Sequence, residues 1–327
     1  MHRRAALALL ATALAPRLAA AQAPTGTPAW APTRPVRLII PYPPGGGTDT
    51  LARPWAERMR QKLGQPLVIE NRGGAATNIG MEAAARSPAD GHTLAINADN
   101  IAYFSFLYRR MPYDLFRDLT PIGYMAETPL VAAINPSVPA RTLQEFIALA
   151  KAKPNQLHMA HSGIGTFLHT SGVLFAKSAG IQVVPVPFKG AGPAIQNILG
   201  GDSQFIMVGM SSLGAFLSSG RLRPLGVASD KRSRYLPDVP TMAEQGLPQV
   251  KAANWFGILA PAGTPQTIVQ RLHKELAAVQ DKPEFRAQVD KIGAEVLKMG
   301  PSEFKAFITA ELAKWKPVLG DGSIKPE

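Results

Sequence analysis

The chain has 327 residues, 46% hydrophobic and 18% charged, which is enough for one large domain or two lobes with cores of their own, and argues against a disordered chain. It contains no cysteine, so disulfides, thiolate metal sites and a cysteine nucleophile are excluded together. Its formal charge of +12 favours anionic partners, but the basic residues are scattered, with no run interleaved by exposed aromatics, so nothing marks a nucleic-acid surface.

Basic His2, Arg3 and Arg4 precede the apolar run Ala5 to Ala15 and the small-residue end Ala21-Gln22-Ala23, the pattern of a secretory signal peptide over residues 1–23. The run is too short to cross a bilayer, which takes about 20 apolar residues, and no later segment reaches that length without charges. Removal of Arg3, Arg4 and Arg17 with the leader leaves +9. A disulfide-free exported protein of this size suits a bacterial periplasm. Residues 24–33 are rich in Pro, Ala and Thr and have no apolar period, which predicts a flexible tether, with order beginning near Arg34.

The β-branched run Val36 to Ile40 predicts the first strand, closed by Pro41. A glycine loop, Gly45-Gly46-Gly47-Thr48-Asp49, leads into a helical pattern through Leu51, Trp55, Met59 and Leu63. A strand at Pro66 to Glu70, a small-residue loop at Asn71 to Thr77, a helix to Arg86 and a strand at Thr93 to Asn97 follow. This βαβαβ order predicts a parallel sheet flanked by helices. New material then repeats the pattern: strands near Ile122 to Tyr124 and Leu130 to Ile134, a helix at Leu143 to Ala152 and a strand at Leu157 to Ala160. The loop His161 to Thr166, a helix to Ala179, the strand Val183 to Val186 and further α/β elements to Ala228 read as a second lobe. A strand at Phe256 to Leu259 and three helices finish the chain.

The loops at 45–49, 71–77 and 161–166 share one design, a strand ending in small residues just before a helix begins. Each presents unpaired N–H groups at a positive helix end, which suits an anion. The first loop is no phosphate loop, because no Gly-Lys-Ser/Thr follows it. The third matches neither Gly-x-Ser-x-Gly nor Gly-x-Gly-x-x-Gly, since Leu168 stands where the last glycine would be. Ser162, Thr166 and the N–H groups of Gly163 to Gly165 are left as neutral donors, which hold a carboxylate with directionality. His158, His161 and His169 lie within twelve residues, but the first two point to opposite faces and no acid completes a set. No metal and no cofactor are therefore expected, and His169 is expected to pack against or orient the loop. No base and nucleophile pair emerges, so the chain reads as a non-enzyme.

At these loops the chain resembles the substrate-binding proteins of tripartite tricarboxylate transporters, the Bug family, from about Arg34 to about Trp315. The likeness is carried by Arg34 to Gly46 with Asp49 and Ala52-Arg53; Glu70-Asn71-Arg72 with Asn78-Ile79-Gly80; and Ser162 to Thr166 with His169. Further on it is carried by Val186 to Gly190, by Leu236 to Thr241 with Glu244 and Gly246, and by Trp255 to Pro265. The resemblance implies an α/β, two-lobed type II periplasmic-binding-protein fold with a ligand cleft between the lobes. Lobe 1 would comprise residues 34–121 and 230–327 and lobe 2 residues 122–229, with crossovers near Pro121 to Tyr124 and Leu225 to Ser229. One wall would be lined by Tyr42, Gly45, Gly46, Thr48, Asp49, Ala75, Ala76 and Thr77. Ser162, Gly163, Gly165, Thr166 and Lys189 would line the other.

Two departures stand out. Gly73-Gly74-Ala75-Ala76-Thr77 replaces the family's usual Pro-Gly-Ala-Gly-Gly, and Gln204 stands where an Asp usually meets an amino group or water, which argues against an amino-acid ligand. The implied function is capture of a small organic carboxylate by a monomer that delivers it to membrane transporter subunits. A ligand-presenting sensor subunit and an exported α/β hydrolase are the alternative readings, and the latter needs a nucleophile elbow or metal cluster that the sequence does not offer.

Overall fold

The computed structural model describes residues 30–44, 47–75, 77–291, 293–320 and 324. The leader, residues 24–29 of the tether, Gly45, Gly46 and Ala76 lie outside the described residues.

The strands are β1 (Val36–Ile40), β2 (Leu67–Asn71), β3 (Thr93–Ala98), β4 (Leu119–Ile134), β5 (His158–His161), β6 (Val184–Pro187), β7 (Phe205–Gly209), β8 (Arg223–Val227) and β9 (Ala253–Pro261). The helices are α1 (Gly47–Leu63), α2 (Asn78–Ala85), α3 (Phe104–Leu107), α4 (Leu115–Asp118), α5 (Leu143–Ala152) and α6 (Phe167–Ala179). After them come α7 (Ala191–Gly200), α8 (Met210–Ser218), α9 (Gln266–Gln280), α10 (Pro283–Lys291) and α11 (Pro301–Leu319).

Strands β2, β1 and β3 pair in parallel, as the βαβαβ pattern predicts, because each α crossover returns the chain to the same edge. The antiparallel strand β9 then closes onto β3, so the C-terminal segment completes the first half of the sheet. In the second half β5 pairs in parallel with β6 and β7. The strand that joins the halves is β4: its first part pairs with β9, and its end, Leu130 to Ile134, pairs with β7 and β8.

The sequence reading puts the first crossover near Pro121 to Tyr124 and expects separate strands near Ile122 to Tyr124 and Leu130 to Ile134. The structure instead has one strand of 16 residues there, and the change of partner falls between Pro129 and Leu130. The register shifts between Pro121 and Gly123 and again between Tyr124 and Ala126 without breaking the strand. The buried Gln280 steadies that stretch, its Nε2 donating to the carbonyls of Tyr124, Met125 and Leu297 at 2.9–3.0 Å. At the change of partner, Leu130 N–H donates to Ala252 O, Ala252 N–H to Ala228 O, and Ala228 N–H to Leu130 O, so three chain segments are tied in one closed ring.

Apolar residues of β1, β3 and β9 pack under α1, α9 and α10 around Trp55, Phe285 and Leu272. The opposite face, with Trp255, Trp315, Phe304, Phe146 and Phe205, runs beneath α2, α11, α5 and α6 into the second half. Each such ring taken from water stabilises the fold by about 1.5–3 kcal/mol. Where layers meet most closely a side chain has no room: a Cβ at Gly80 of α2 would lie 2.9 Å from Pro41 Cα and 2.7 Å from Arg72 O. That contact presses the start of α2 against the end of β1, beside the loops that matter most.

Candidate functional site: a cleft at the carboxyl ends of the strands

The carboxyl ends of β1, β3, β5 and β7 open toward one region, the usual place for a ligand in an α/β sheet. There a cavity of about 290 Å3 is lined by Tyr42 after β1, Thr48 in the first turn of α1, Ala98, Asp99 and Asn100 at the end of β3, and Tyr103 and Phe104. Thr166 and Phe167 at the start of α6, with Asn254 and Phe256 of β9, complete its wall. A second cavity of about 190 Å3 shares Phe167, Asn254 and Phe256 and extends to Thr128, Leu130, Ala191 and Gly209. The starts of α1, α6 and α7 thus border one cleft that runs to the crossover at Leu130. First-turn N–H groups have no partner within their own helix, and each helix start carries roughly half a positive charge, so an anion is favoured here.

Three of the expected residues, Tyr42, Thr48 and Thr166, line the larger cavity. The Tyr42 hydroxyl lies 2.9 Å from Asn97 Oδ1 and in direct contact with Asn100 Oδ1. Burial, and after it the nearby Asp99, holds the phenol well above its ordinary range, so it stays a neutral donor. Thr77 acts one step back: its Oγ1 accepts from Asn100 Nδ2 at 2.8 Å and so fixes a lining residue. It does so with φ at 76°, a left-handed backbone that costs a β-branched residue energy. Ala75 also has positive φ and is exposed.

The loop before α6 is built differently from expectation. The N–H groups of Gly163 and Gly165 were assigned to the ligand, but Gly165 N–H donates to His169 Nδ1 at 3.1 Å. His161 Nδ1 lies 2.9 Å from Gly163 O and 3.3 Å from Gly163 N, and the shorter contact is that of an Nδ1–H donating to the carbonyl. Ser162 Oγ donates to Thr166 Oγ1 at 2.9 Å, and Thr166 Oγ1 donates to Gly163 O at 2.7 Å. Gly165 N–H and both hydroxyls are therefore spent within the loop, and with the proton on His161 Nδ1 only Gly163 N–H among these groups is left without that acceptor, while Thr166, Phe167 and Leu168 at the start of α6 line the cavities. Burial lowers the pKa of both imidazoles, that of His169 to about 4 with a further push from His161, so the pair is neutral near pH 7. His169 orients the loop, as the sequence reading had it.

Three other assignments are corrected. The Asp49 carboxylate is taken by a two-pronged contact from Arg53, at 2.8 and 2.9 Å, and by Asn71 Nδ2 at 3.1 Å, so it braces α1 against β2 rather than lining the cavity. Lys189 is exposed in the turn before α7 and lines neither cavity. Gln204 sits just before β7, at the end of that strand away from the cleft. It accepts from His158 N at 2.9 Å and donates to Gly201 O and Asp202 O. A residue preceding a strand that points at the cleft lies a full strand length away from it.

Sequence reasoning missed Asp99, Asn100, Tyr103, Phe104, Phe167, Asn254 and Phe256. Asp99 and Asn100 carried a usable signal, since they directly follow a predicted parallel strand. Asn254 and Phe256 carried none, because their approach depends on β9 returning from far along the chain to pair with β3.

The sequence matches the tripartite tricarboxylate transporter family receptor over residues 51–323. Protein BugT of Bordetella pertussis is 36% identical over 297 residues, covering 90% of this chain and 91% of its own. Among solved structures, R. palustris Rpa4515 with adipate is 34% identical with a TM-score of 0.76, over 90% of this chain and 99% of that one. MatC (Rpa3494) from Rhodopseudomonas palustris with bound malate is 29% identical with a TM-score of 0.73, over 88% and 99%. The two-lobed periplasmic-binding-protein architecture implied by the sequence is therefore the fold of this chain. With helix starts facing a cleft and a match that runs through nearly all of the described chain, the protein belongs to the receptor family of tripartite tricarboxylate transporters.

Proposed function

We propose that the protein works in the periplasm as a monomeric receptor that captures a small organic carboxylate in this cleft and delivers it to the membrane subunits of a tripartite transporter. The observation that carries the reading is the convergence of Thr48 and Thr166, each at the start of a long helix, on one cavity together with the amide donors of Asn100 and Asn254 and the Tyr42 ring. Hydrogen bonds from such groups to a carboxylate contribute about 1.5–3 kcal/mol each, so a few of them suffice for capture. Adipate and malate in the two related structures are ligands of that kind.

The reading is of binding without turnover. Ser162 donates to Thr166 rather than to an imidazole, and the Nδ1 atoms of His161 and His169 are engaged by the glycine backbone. Export rests on the 23-residue leader, and among the described residues no helix is long and apolar enough to cross a membrane. The two halves of the sheet are the lobes, and the ring at Leu130, Ala228 and Ala252 is the hinge about which they close.

A thermal-shift series on refolded, ligand-stripped protein with mono-, di- and tricarboxylates, adipate and malate among them, tests this. A saturable rise in melting temperature with at least one carboxylate is expected, with a smaller radius of gyration by X-ray scattering once it is bound. No stabilisation across the series would overturn the reading, and stabilisation at an unchanged radius would overturn the hinge.

A further inference from the structure

The two cavities of the cleft meet at three residues that line both, Phe167, Asn254 and Phe256. Asn254 and Phe256 belong to β9 and are fixed to the first half of the sheet. Asn254 Nδ2 donates to Asp99 Oδ1 at 2.5 Å, and Phe256 pairs with Ala98 and Ala126. Phe167 comes from the other side, as the first residue of α6. Its neighbours in the chain divide between the two spaces, Thr166 lining the larger cavity and Leu168 the smaller, with Phe167 shared by both.

The ring is held in place. It is 7% exposed, stacks on Tyr103 with centroids 6.4 Å apart, and meets Trp315 edge-on at 6.2 Å. Both neighbours are tied in turn, the Tyr103 hydroxyl to Asp99 and Thr170, and Trp315 Nε1 to Glu311 Oε2 at 3.2 Å. We propose that Phe167 sets the length of acid that the cleft accepts, its ring being the partition between the carboxylate-binding cavity and a space for the far end of a longer chain. The proposal rests on the carboxylate reading above and names a residue that decides among carboxylates.

The two spaces differ in chemistry. The larger holds Thr48 and Thr166 at the starts of α1 and α6, where a carboxylate is favoured. The smaller, of about 190 Å3, is lined by Leu130, Leu168, Ala191 and Val208 among others, and none of its lining residues is charged, so it suits the methylenes of a chain. An acid extending from the helix starts toward this space meets the ring first. It must then fold back or push the ring off Tyr103 and Trp315. Shortening the side chain opens the way, because those two neighbours are tethered and do not fold into the gap. Each methylene thereby taken from water gains about fourfold in affinity.

Titration calorimetry of wild type, Phe167→Leu and Phe167→Ala tests the assignment, with butyrate, caproate and caprylate as one series and succinate, adipate and suberate as another. In at least one series the affinity ratio of the eight-carbon to the four-carbon acid should rise about tenfold or more in Phe167→Ala, the effect of two newly buried methylenes. In Phe167→Leu it should rise about fourfold, the effect of one. The Leu variant carries the test if the Ala variant gives no cooperative melting curve. A merely structural role would weaken every acid alike and leave the ratio where it was. That outcome, or a ratio that falls, would sink the proposal while leaving carboxylate capture intact. Absence of binding by every acid to all three proteins would remove the carboxylate reading and this one together.

Discussion

The imidazoles of His161 and His169 lie face to face, their ring centroids 4.1 Å apart and their planes inclined by 12°. Each ring also touches the glycine loop between them, His161 at Gly163 O and His169 at Gly165 N. The pair acts as a clamp that shapes the loop from behind while α6 presents its first turn to the cleft.

Replacing His169 with Ala should cost about 2 kcal/mol of stability, because Gly165 N–H loses its acceptor and the stacked ring leaves a void. His169→Gln, which still offers an acceptor, should lose less. Urea unfolding of the three proteins gives the order directly, and equal stability of wild type and His169→Ala would refute the clamp.

The clamp should also set an acid limit. Folding depresses the His169 pKa from 6.5 to about 4, so the unfolded chain binds that proton more readily than the native one. The contribution is intact above about pH 6.5 and is lost progressively as pH falls toward 4, by up to about 3 kcal/mol. Several carboxylates act in the same direction, so the quantity to measure is the stability difference between wild type and His169→Gln across this range. A difference independent of pH would be the wrong outcome for this account.

Thr77 sets backbone strain against a hydrogen bond. Thr77→Gly removes a left-handed cost of about 1–2 kcal/mol and gives up the bond from Asn100, so its stability should stay within about 1 kcal/mol of wild type. Thr77→Val keeps the strain and leaves Asn100 Nδ2 without its acceptor, so it should lose about 2 kcal/mol. Thermal and urea unfolding compare the two, and a Val variant more stable than the Gly variant contradicts the assignment.

Thr166→Val preserves shape while removing the acceptor for Ser162 and the donor to Gly163 O. The loop should loosen and affinity for a stabilising carboxylate fall by about tenfold, equivalent to about 1.4 kcal/mol. Titration calorimetry reads this, and unchanged affinity would move the anion pole away from the start of α6.

Gln280→Leu removes one donor nitrogen from two backbone carbonyls at the irregular stretch of β4 and from Leu297 O, with little change in volume. A loss of about 3 kcal/mol is expected, since buried carbonyls without partners are costly. Chemical denaturation checks it, and a loss below about 0.5 kcal/mol would show that water replaces the amide.

The alternation of β-branched runs with helical periods in the sequence was enough to specify the βαβαβ unit, the second α/β repeat and the glycine loops before α1 and α6. Those features are local: side-chain spacing, turn residues and capping act within a few residues of one another. Thr48 and Thr166 were legible as cleft residues for the same reason, because the end of a strand and the start of the next helix are neighbours in the chain, whereas Tyr42 came from the family resemblance. Tertiary structure decided what spacing cannot carry. That β4 runs unbroken through both halves depends on β9, β7 and β8 arriving from more than 70 residues away to pair with it. That Asp99 meets Asn254 depends on a pair of strands whose contacting side chains lie 155 residues apart. And that Gly165 N–H belongs to His169 rather than to a ligand depends on the turn of α6 that brings the imidazole back over its own loop. A donor is spent on whichever acceptor the folded chain brings closest, and that distance is not written in the order of the residues.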